Sequence, residues 1–205
     1  MKTIQTLVLL SATAVLAACT GEQASKPQAG GAQAGCTTRA YDSIGGPIEL
    51  ISHTGDAVTE ADFKGSPTLI YFGFTYCPDI CPSTLVTVKN AYERLPDDIT
   101  APQTLLITID PERDTPEAMA RYVGNAAFPE GLVGLTGSEE QIRAAANGFI
   151  ADYSRIETPE SLSEYTMDHT SLLYLMDEDW SLKTFFSESN ADPQSMAECL
   201  AYHIG

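Results

Sequence analysis

The sequence has little positive charge. Its 205 residues include 11 lysines and arginines against 28 aspartates and glutamates, which gives a net charge of −17 at pH 7. Such a chain repels the phosphates of nucleic acids and anionic lipids, so binding to either through a basic surface is excluded. Hydrophobic residues make up 43% of the chain, with 15 glycines and 12 prolines. This composition predicts a globular domain and excludes collagen-like and wholly disordered chains.

Long apolar runs are also scarce, which excludes a multi-pass membrane protein. The one such run, residues 4–16, follows Lys2 and leads into Leu16-Ala17-Ala18-Cys19. Small residues before a cleavage point are typical of a secretory signal, and a cysteine directly after Leu-Ala-Ala resembles the lipobox of bacterial lipoproteins. We predict a signal peptide over residues 1–18 and lipidation of Cys19, which would hold the protein on the periplasmic side of a bacterial membrane. An uncleaved anchor helix is the alternative, although a spanning helix needs about 20 residues.

The segment after Cys19 is rich in glycine, alanine, glutamine and serine and has no apolar periodicity. Such a composition is typical of a flexible linker. We therefore predict a lipid-anchored tether over residues 19–40 and a single folded domain over residues 41–205.

Strand and helix patterns alternate along this domain. The predicted strands are 48–51, 57–59, 68–74, 104–109, 132–135, 171–176 and 182–186, and the predicted helices are 82–95, one opening at 115, 138–150 and 192–203. The order indicates an α/β fold, a three-layer sandwich of helices around a sheet, with an added N-terminal β-hairpin. A buried strand that ends in a cysteine-bearing loop opening a helix is typical of a thioredoxin-like fold. A glycine is expected in the turn between the last two strands, but residues 177–180 contain none.

Two of the five cysteines, Cys77 and Cys81, follow a predicted central strand and lie at the start of a helix. A helix N-terminus favours the thiolate form of cysteine. The pair is therefore interpreted as a reactive dithiol or as half of a soft-metal site. A small structural disulfide between them is the third reading.

Two further cysteines, Cys36 near the end of the predicted tether and Cys199 in the last predicted helix, flank the domain at its opposite ends. Chain termini are often close in space, so a disulfide between them is a hypothesis. Free thiols and an intermolecular bridge are the alternatives.

The chain has three histidines, at positions 53, 169 and 203. His53 and His203 are interpreted as surface residues, whereas His169 precedes a buried strand in a loop expected beside the cysteine helix. Two thiolates and an imidazole suit Cu(I) or Cu(II), and zinc with a water is a further possibility. Asp168, by orienting His169, and Asp110, at the end of the second central strand, are candidates for a supporting role around the ligands.

Four motifs in order resemble the Sco/SenC family. They are YFGFTYCPDICP at 71–82, TIDPERDTP at 108–116, LTGS at 135–138 and DHTS at 168–171, within a similarity that runs from about residue 44 to 204. The resemblance implies a thioredoxin-like fold with an added hairpin. It also implies one copper ion held by Cys77, Cys81 and His169.

Members of the Sco/SenC family help to mature the dinuclear copper site of respiratory cytochrome c oxidase. The resemblance therefore implies a copper chaperone rather than an enzyme. Its expected partners are the copper-site subunit of the oxidase and other periplasmic copper carriers or thiol reductants. A thiol–disulfide oxidoreductase that reduces the oxidase cysteines is the alternative, although its usual motif is Cys-x-x-Cys and not Cys-x-x-x-Cys.

Overall fold

The computed structural model describes Cys36 and residues 43–161, 163–188 and 191–205. The predicted signal peptide, Cys19 and the tether apart from Cys36 lie outside these residues. Within the described part of the chain, no helix is both long enough and apolar enough to cross a membrane.

The described residues form nine strands and four α-helices. The strands are β1 (Glu49–Ser52), β2 (Ala57–Thr59), β3 (Thr68–Gly73), β4 (Gln103–Thr108), β5 (Val133–Thr136), β6 (Tyr153–Glu157), β7 (Tyr165–His169), β8 (Leu172–Met176) and β9 (Leu182–Ser187). The helices are α1 (Ile80–Tyr92), α2 (Pro116–Val123), α3 (Glu139–Gly148) and α4 (Pro193–Ile204), and a 3₁₀ turn covers Glu60–Phe63.

Seven strands form one mixed sheet in the order β2-β1-β5-β4-β3-β8-β9. The three central strands β3, β4 and β5 are parallel, and β1, β8 and β9 join antiparallel to their neighbours. Every residue of β3 is buried, which requires cover on both faces of the sheet. The predicted N-terminal hairpin is present as β1 and β2.

Capping residues set the helix boundaries as the sequence predicts. The Thr115 side chain accepts from the Ala118 amide at the start of α2, and Ser138 and Gln141 form a reciprocal capping box at the start of α3. Asp192 accepts from two amides at the start of α4. The helix at the cysteines starts at Ile80, two residues before the predicted 82, so Cys81 lies inside its first turn.

A second, two-stranded sheet of β6 and β7 is absent from the sequence prediction. Tyr153 of β6 pairs with His169, the last residue of β7. The prediction of a loop at His169 is therefore wrong: hydrogen bonds across this hairpin hold the residue at a strand end, one residue before the connection to β8.

The turn between β8 and β9 forms without a glycine. The Asp177 carboxylate accepts from the amides of Asp179 and Ser181, and Trp180 takes a positive φ of 70°. The Trp180 indole is buried, donates to the Gly46 carbonyl at 2.9 Å and contacts Phe149 at a centroid distance of 6.4 Å. Trp180 is thus part of the core although it lies in a turn.

Candidate metal site

Cys77 and Cys81 lie together where β3 gives way to α1. The Cys81 amide donates to the Cys77 sulfur at 3.2 Å, and neither cysteine is in a disulfide. Cys81 is fully buried and Cys77 is half-buried. The structure therefore presents a reduced dithiol with one accessible sulfur, and not the small structural disulfide considered from the sequence.

The two thiols have opposite acidities. Hydrogen bonding from the Cys81 thiol lowers the pKa of Cys77 to about 6, aided by the amides of Cys81, Asp79 and Ile80 and opposed by burial. The same hydrogen bond and burial raise the pKa of Cys81. At neutral pH the pair thus presents one thiolate, stabilised at the N-terminus of α1 as expected for a reactive or metal-binding cysteine.

Gly73 makes room for the buried sulfur. A Cβ atom at this position would lie 3.2 Å from Cys81 Sγ, 3.1 Å from the Tyr71 ring and 3.2 Å from Leu106. A side chain on Gly73 would therefore displace one of these neighbours. A glycine inside an apolar strand often marks such a close approach, so the sequence carried this signal.

His169 lies at the same end of the sheet, between aromatic rings of β3 and of the cysteine loop. Its ring is edge-on to Tyr71 and Phe74, with centroid distances of 6.3 and 6.4 Å. Its Nδ1 lies 3.0 Å from the Thr170 carbonyl oxygen. When Nδ1 donates to that carbonyl, Nε2 keeps its lone pair and is available to a metal.

The structure brings the two cysteines into contact but leaves His169 apart from them. Within the described residues, the donor atoms of Cys77, Cys81 and His169 do not all lie within 4.8 Å of one another. Metal binding by all three therefore requires the His169 ring to come closer to the two sulfurs.

Asp168 does not hold the His169 ring as the sequence suggested. Successive residues of a strand point to opposite faces, and Asp168 is exposed beside the half-buried His169. The Thr170 carbonyl takes the place proposed for the Asp168 carboxylate.

Asp110 braces the hairpin that carries His169. Its buried carboxylate accepts from the Tyr165 hydroxyl at 2.8 Å and pairs with Arg113. The Arg113 guanidinium also donates to the Tyr165 carbonyl at 3.2 Å and stacks on the Tyr165 ring. Asp110 thus acts on the hairpin through Tyr165, the first residue of β7, which lies four residues before His169.

Asp114 is a supporting residue that the sequence reading missed. This fully buried carboxylate accepts from the Thr75 amide at 3.0 Å, the Thr75 hydroxyl at 2.6 Å and the Thr108 hydroxyl at 2.6 Å. It therefore ties the loop before Cys77 to the end of β4. The sequence offered only its place in a charged loop, because its partner Thr75 lies 39 residues away.

A cavity of about 480 Å³ opens beside the hairpin, lined in part by Asp110, Tyr165 and Met167. Met167 also lies against the core. His53 lies away from the cysteines, and its Nδ1 accepts from the Gly134 amide at 3.2 Å.

Cys36 and Cys199 are joined by a disulfide, and their Cα atoms are 5.4 Å apart. Of the three arrangements that the sequence left open for these cysteines, the structure has the intramolecular bond.

The fold and this site define a thioredoxin-like domain that carries a reduced dithiol with a histidine nearby. The family model described as SCO1/SenC matches residues 37–205, and the chain belongs to this family. The resemblance read from the four sequence motifs is thereby confirmed.

Known relatives share both sequence and structure with the chain. The human protein named SCO1 homolog, mitochondrial, is 39% identical over 163 residues, which cover 78% of this chain and 53% of the human protein. The chain thus spans about half the length of that relative. The crystal structure of Arabidopsis thaliana ScoI with copper bound has 36% identity and a TM-score of 0.73, covering 78% of this chain and 98% of ScoI.

A more distant structure shares the fold. BsSco, a member of the Sco family of cytochrome c oxidase assembly proteins in which a disulfide switch was identified, is 20% identical with a TM-score of 0.60. The alignment covers 81% of this chain and 98% of BsSco. The predicted thioredoxin-like α/β fold is thus confirmed.

Proposed function

We propose that this protein is a membrane-tethered copper chaperone that helps to mature the dinuclear copper site of cytochrome c oxidase. Cys77, Cys81 and His169 hold one copper ion as cargo. The observation that carries the proposal is the reduced Cys77–Cys81 pair at the start of α1, in a chain whose relative ScoI has been solved with copper bound.

The donor chemistry fits copper. Thiolates select Cu(I), and imidazole binds both copper oxidation states. Cys77 is accessible and acidic, so it supplies the first thiolate; Cys81 loses its proton only when a cation compensates its burial. His169 then completes the set through Nε2, because the Thr170 carbonyl holds Nδ1.

Release of the copper ion follows from the same difference in acidity between Cys77 and Cys81. Thiolates of the acceptor replace Cys77, Cys81 and His169 one at a time. Reprotonation of the buried Cys81 favours the metal-free state once the cation leaves. A lipid on Cys19 and the tether over residues 19–40 would keep this exchange close to a membrane enzyme on the periplasmic side.

A second candidate function is reduction of the oxidase cysteines. A thiolate with a pKa of about 6 beside a protonated partner is the arrangement of a dithiol reductant, in which Cys77 attacks and Cys81 resolves. The two functions differ in what reaches the acceptor: copper in one, two electrons in the other.

The test is a transfer experiment with the copper-site domain of the oxidase subunit as acceptor. A reduced, metal-free acceptor mixed with the Cu(I)-loaded chaperone should gain copper, while Cys77 and Cys81 remain thiols. An oxidised acceptor mixed with the metal-free chaperone measures reduction by thiol counting. Reduction of the acceptor without any copper transfer would overturn delivery in favour of the reductase.

A further inference from the structure

A second group of metal-ligand side chains lies far along the chain from the first. Cys36, Cys199 and His203 have donor atoms within 4.8 Å of one another. Cys199 and His203 are four residues apart on α4, which places them on one face of the helix. The disulfide brings Cys36 against that face.

The histidine of this group has an unused buried nitrogen. His203 Nε2 is buried, and no described residue gives it a hydrogen-bond partner. A buried polar atom without a partner is costly and calls for an explanation, such as an ion that occupies the site in another state. Cys36 and Cys199 are 8% and 1% exposed, so the group lies in largely apolar surroundings.

We propose that reduction of the Cys36–Cys199 disulfide creates a second Cu(I) site, with Cys36, Cys199 and His203 as its ligands. A dithiol reductant supplies two electrons and two protons to the Sγ–Sγ bond and itself becomes a disulfide. The two thiols so formed lose their protons to solvent when Cu(I) binds between them. The disulfide form has no thiolates to bind the metal, whereas the reduced form has two.

The geometry accommodates a metal between the sulfurs. Two metal–sulfur bonds of about 2.3 Å span at most about 4.6 Å. The Cα atoms are 5.4 Å apart, so side-chain rotation lets the sulfurs separate without movement of the backbone. The His203 ring already lies beside them.

The soft ligands of this group favour Cu(I), which thiolates select. Zinc, which two thiolates and an imidazole bind together with a water molecule, is the competing metal. Two thiolates and a neutral imidazole around Cu(I) carry one negative charge.

The experiment isolates this site in the full chain. A variant with Cys19→Ser, Cys77→Ser and Cys81→Ser keeps Cys36 and Cys199 as its two cysteines. The purified protein is reduced, freed of reductant under anaerobic conditions and titrated with Cu(I) against the chromophoric chelator bathocuproine disulfonate. We expect one Cu(I) per chain after reduction and none in the disulfide form.

Two further variants test the ligands. His203→Ala leaves the disulfide intact in the oxidised protein, and after reduction it should weaken Cu(I) binding by at least the roughly 10–100-fold typical of residues that support a metal ligand. His53→Ala, which changes a histidine near Gly134, is the matched control and should bind as the parent does.

Three results would overturn the proposal: no Cu(I) retained by the reduced parent, equal binding before and after reduction, or unchanged binding in His203→Ala. Zinc bound more tightly than Cu(I) would overturn the choice of metal. A collapse of the far-ultraviolet circular dichroism on reduction would also contradict the proposal, because it needs the fold to hold the ligands together. Since Cys77 and Cys81 are absent from this chain, the outcome is independent of the primary site.

Discussion

Asp114 accepts two hydrogen bonds from Thr75, one from its amide at 3.0 Å and one from its hydroxyl at 2.6 Å. The Thr108 hydroxyl donates a third at 2.6 Å. This contact fixes the entrance of the loop that presents Cys77 and Cys81, so the order of the dithiol depends on a residue that touches neither sulfur.

The Asp114 contact predicts a large difference between two substitutions. Asp114→Ala leaves three donors without their acceptor inside the protein and should lower the free energy of unfolding by about 2–4 kcal/mol. Asp114→Asn keeps one amide oxygen as acceptor and offers its NH₂ to a threonine hydroxyl, so it should lose much less. Urea denaturation of the two variants measures the difference. Equal losses would contradict the assignment of the hydrogen bonds.

The acidity of Cys77 predicts the order in which the thiols react. In the reduced, metal-free protein, iodoacetamide should modify Cys77 first, with a rate that rises through a midpoint near pH 6. Cys81 should stay unmodified at neutral pH, because burial and its hydrogen bond to Cys77 raise its pKa. Peptide mass spectrometry after timed alkylation identifies the modified cysteine.

A matched variant tests the cause of that acidity. Cys81→Ala removes the thiol that donates to the Cys77 thiolate, so the midpoint for Cys77 should move upwards towards the usual range for cysteine. A midpoint that stayed near pH 6 would assign the acidity to the helix N-terminus alone.

The close contacts of Gly73 predict that a side chain at this position weakens Cu(I) binding as well as stability. Gly73→Ala forces Cys81 Sγ or the Tyr71 ring to move, and should weaken Cu(I) binding together with a loss of about 1–3 kcal/mol in stability. Gly134→Ala is the matched control, because its Cβ would lie 3.0 Å from Met119 and Val123 of α2. The control should lose comparable stability and keep its Cu(I) affinity. The comparison needs denaturation and chelator competition on both variants.

The Cys36–Cys199 disulfide predicts a measurable contribution to stability. It closes a loop with a sequence separation of 163, and replacement of both cysteines by alanine should lower the free energy of unfolding by about 2–5 kcal/mol. Chemical denaturation of the oxidised protein and of the double variant gives the difference. Wild type treated with a reductant should show a similar loss, and no loss in either case would show that the bond constrains little of the unfolded chain.

The sequence alone was sufficient to predict the strands and helices that have strong local signals. The buried runs of β3 and β4 and the caps at Thr115, Ser138 and Asp192 lie where their patterns predict. These signals depend on residues within a few positions of each other, so a single sequence reveals them.

The hairpin of β6 and β7 gave no such signal because half of the residues in its two strands are exposed. Four of the five residues of β6 are exposed, so the strand lacks alternating apolar residues. Cation–π contacts hold it in place: Arg143 lies over Tyr153 at 3.5 Å and Arg155 over Tyr165 at 3.6 Å. The setting of His169 depends on these long-range contacts, so its place at a strand end was not predictable from neighbouring residues.

Prediction of the disulfide pairing from sequence has a similar limit. The spacing of Cys36 and Cys199 left three arrangements open, because connectivity does not follow from sequence alone. The proximity of His203 to this pair arises because the disulfide brings Cys36 against α4, which no local pattern records.

The most direct test of the copper site is an anaerobic Cu(I) titration against a competing chelator, using protein with Cys77 and Cys81 as thiols and the Cys36–Cys199 disulfide intact, with Cys77→Ser, Cys81→Ser and His169→Ala in parallel. Cys36 and Cys199 stay oxidised in this experiment, which limits binding to the first site. We expect one Cu(I) per chain, binding lost in each cysteine variant and weakened in His169→Ala, with His53→Ala unchanged. Full binding by His169→Ala, or retention of copper by either cysteine variant, would contradict the assignment of the three ligands.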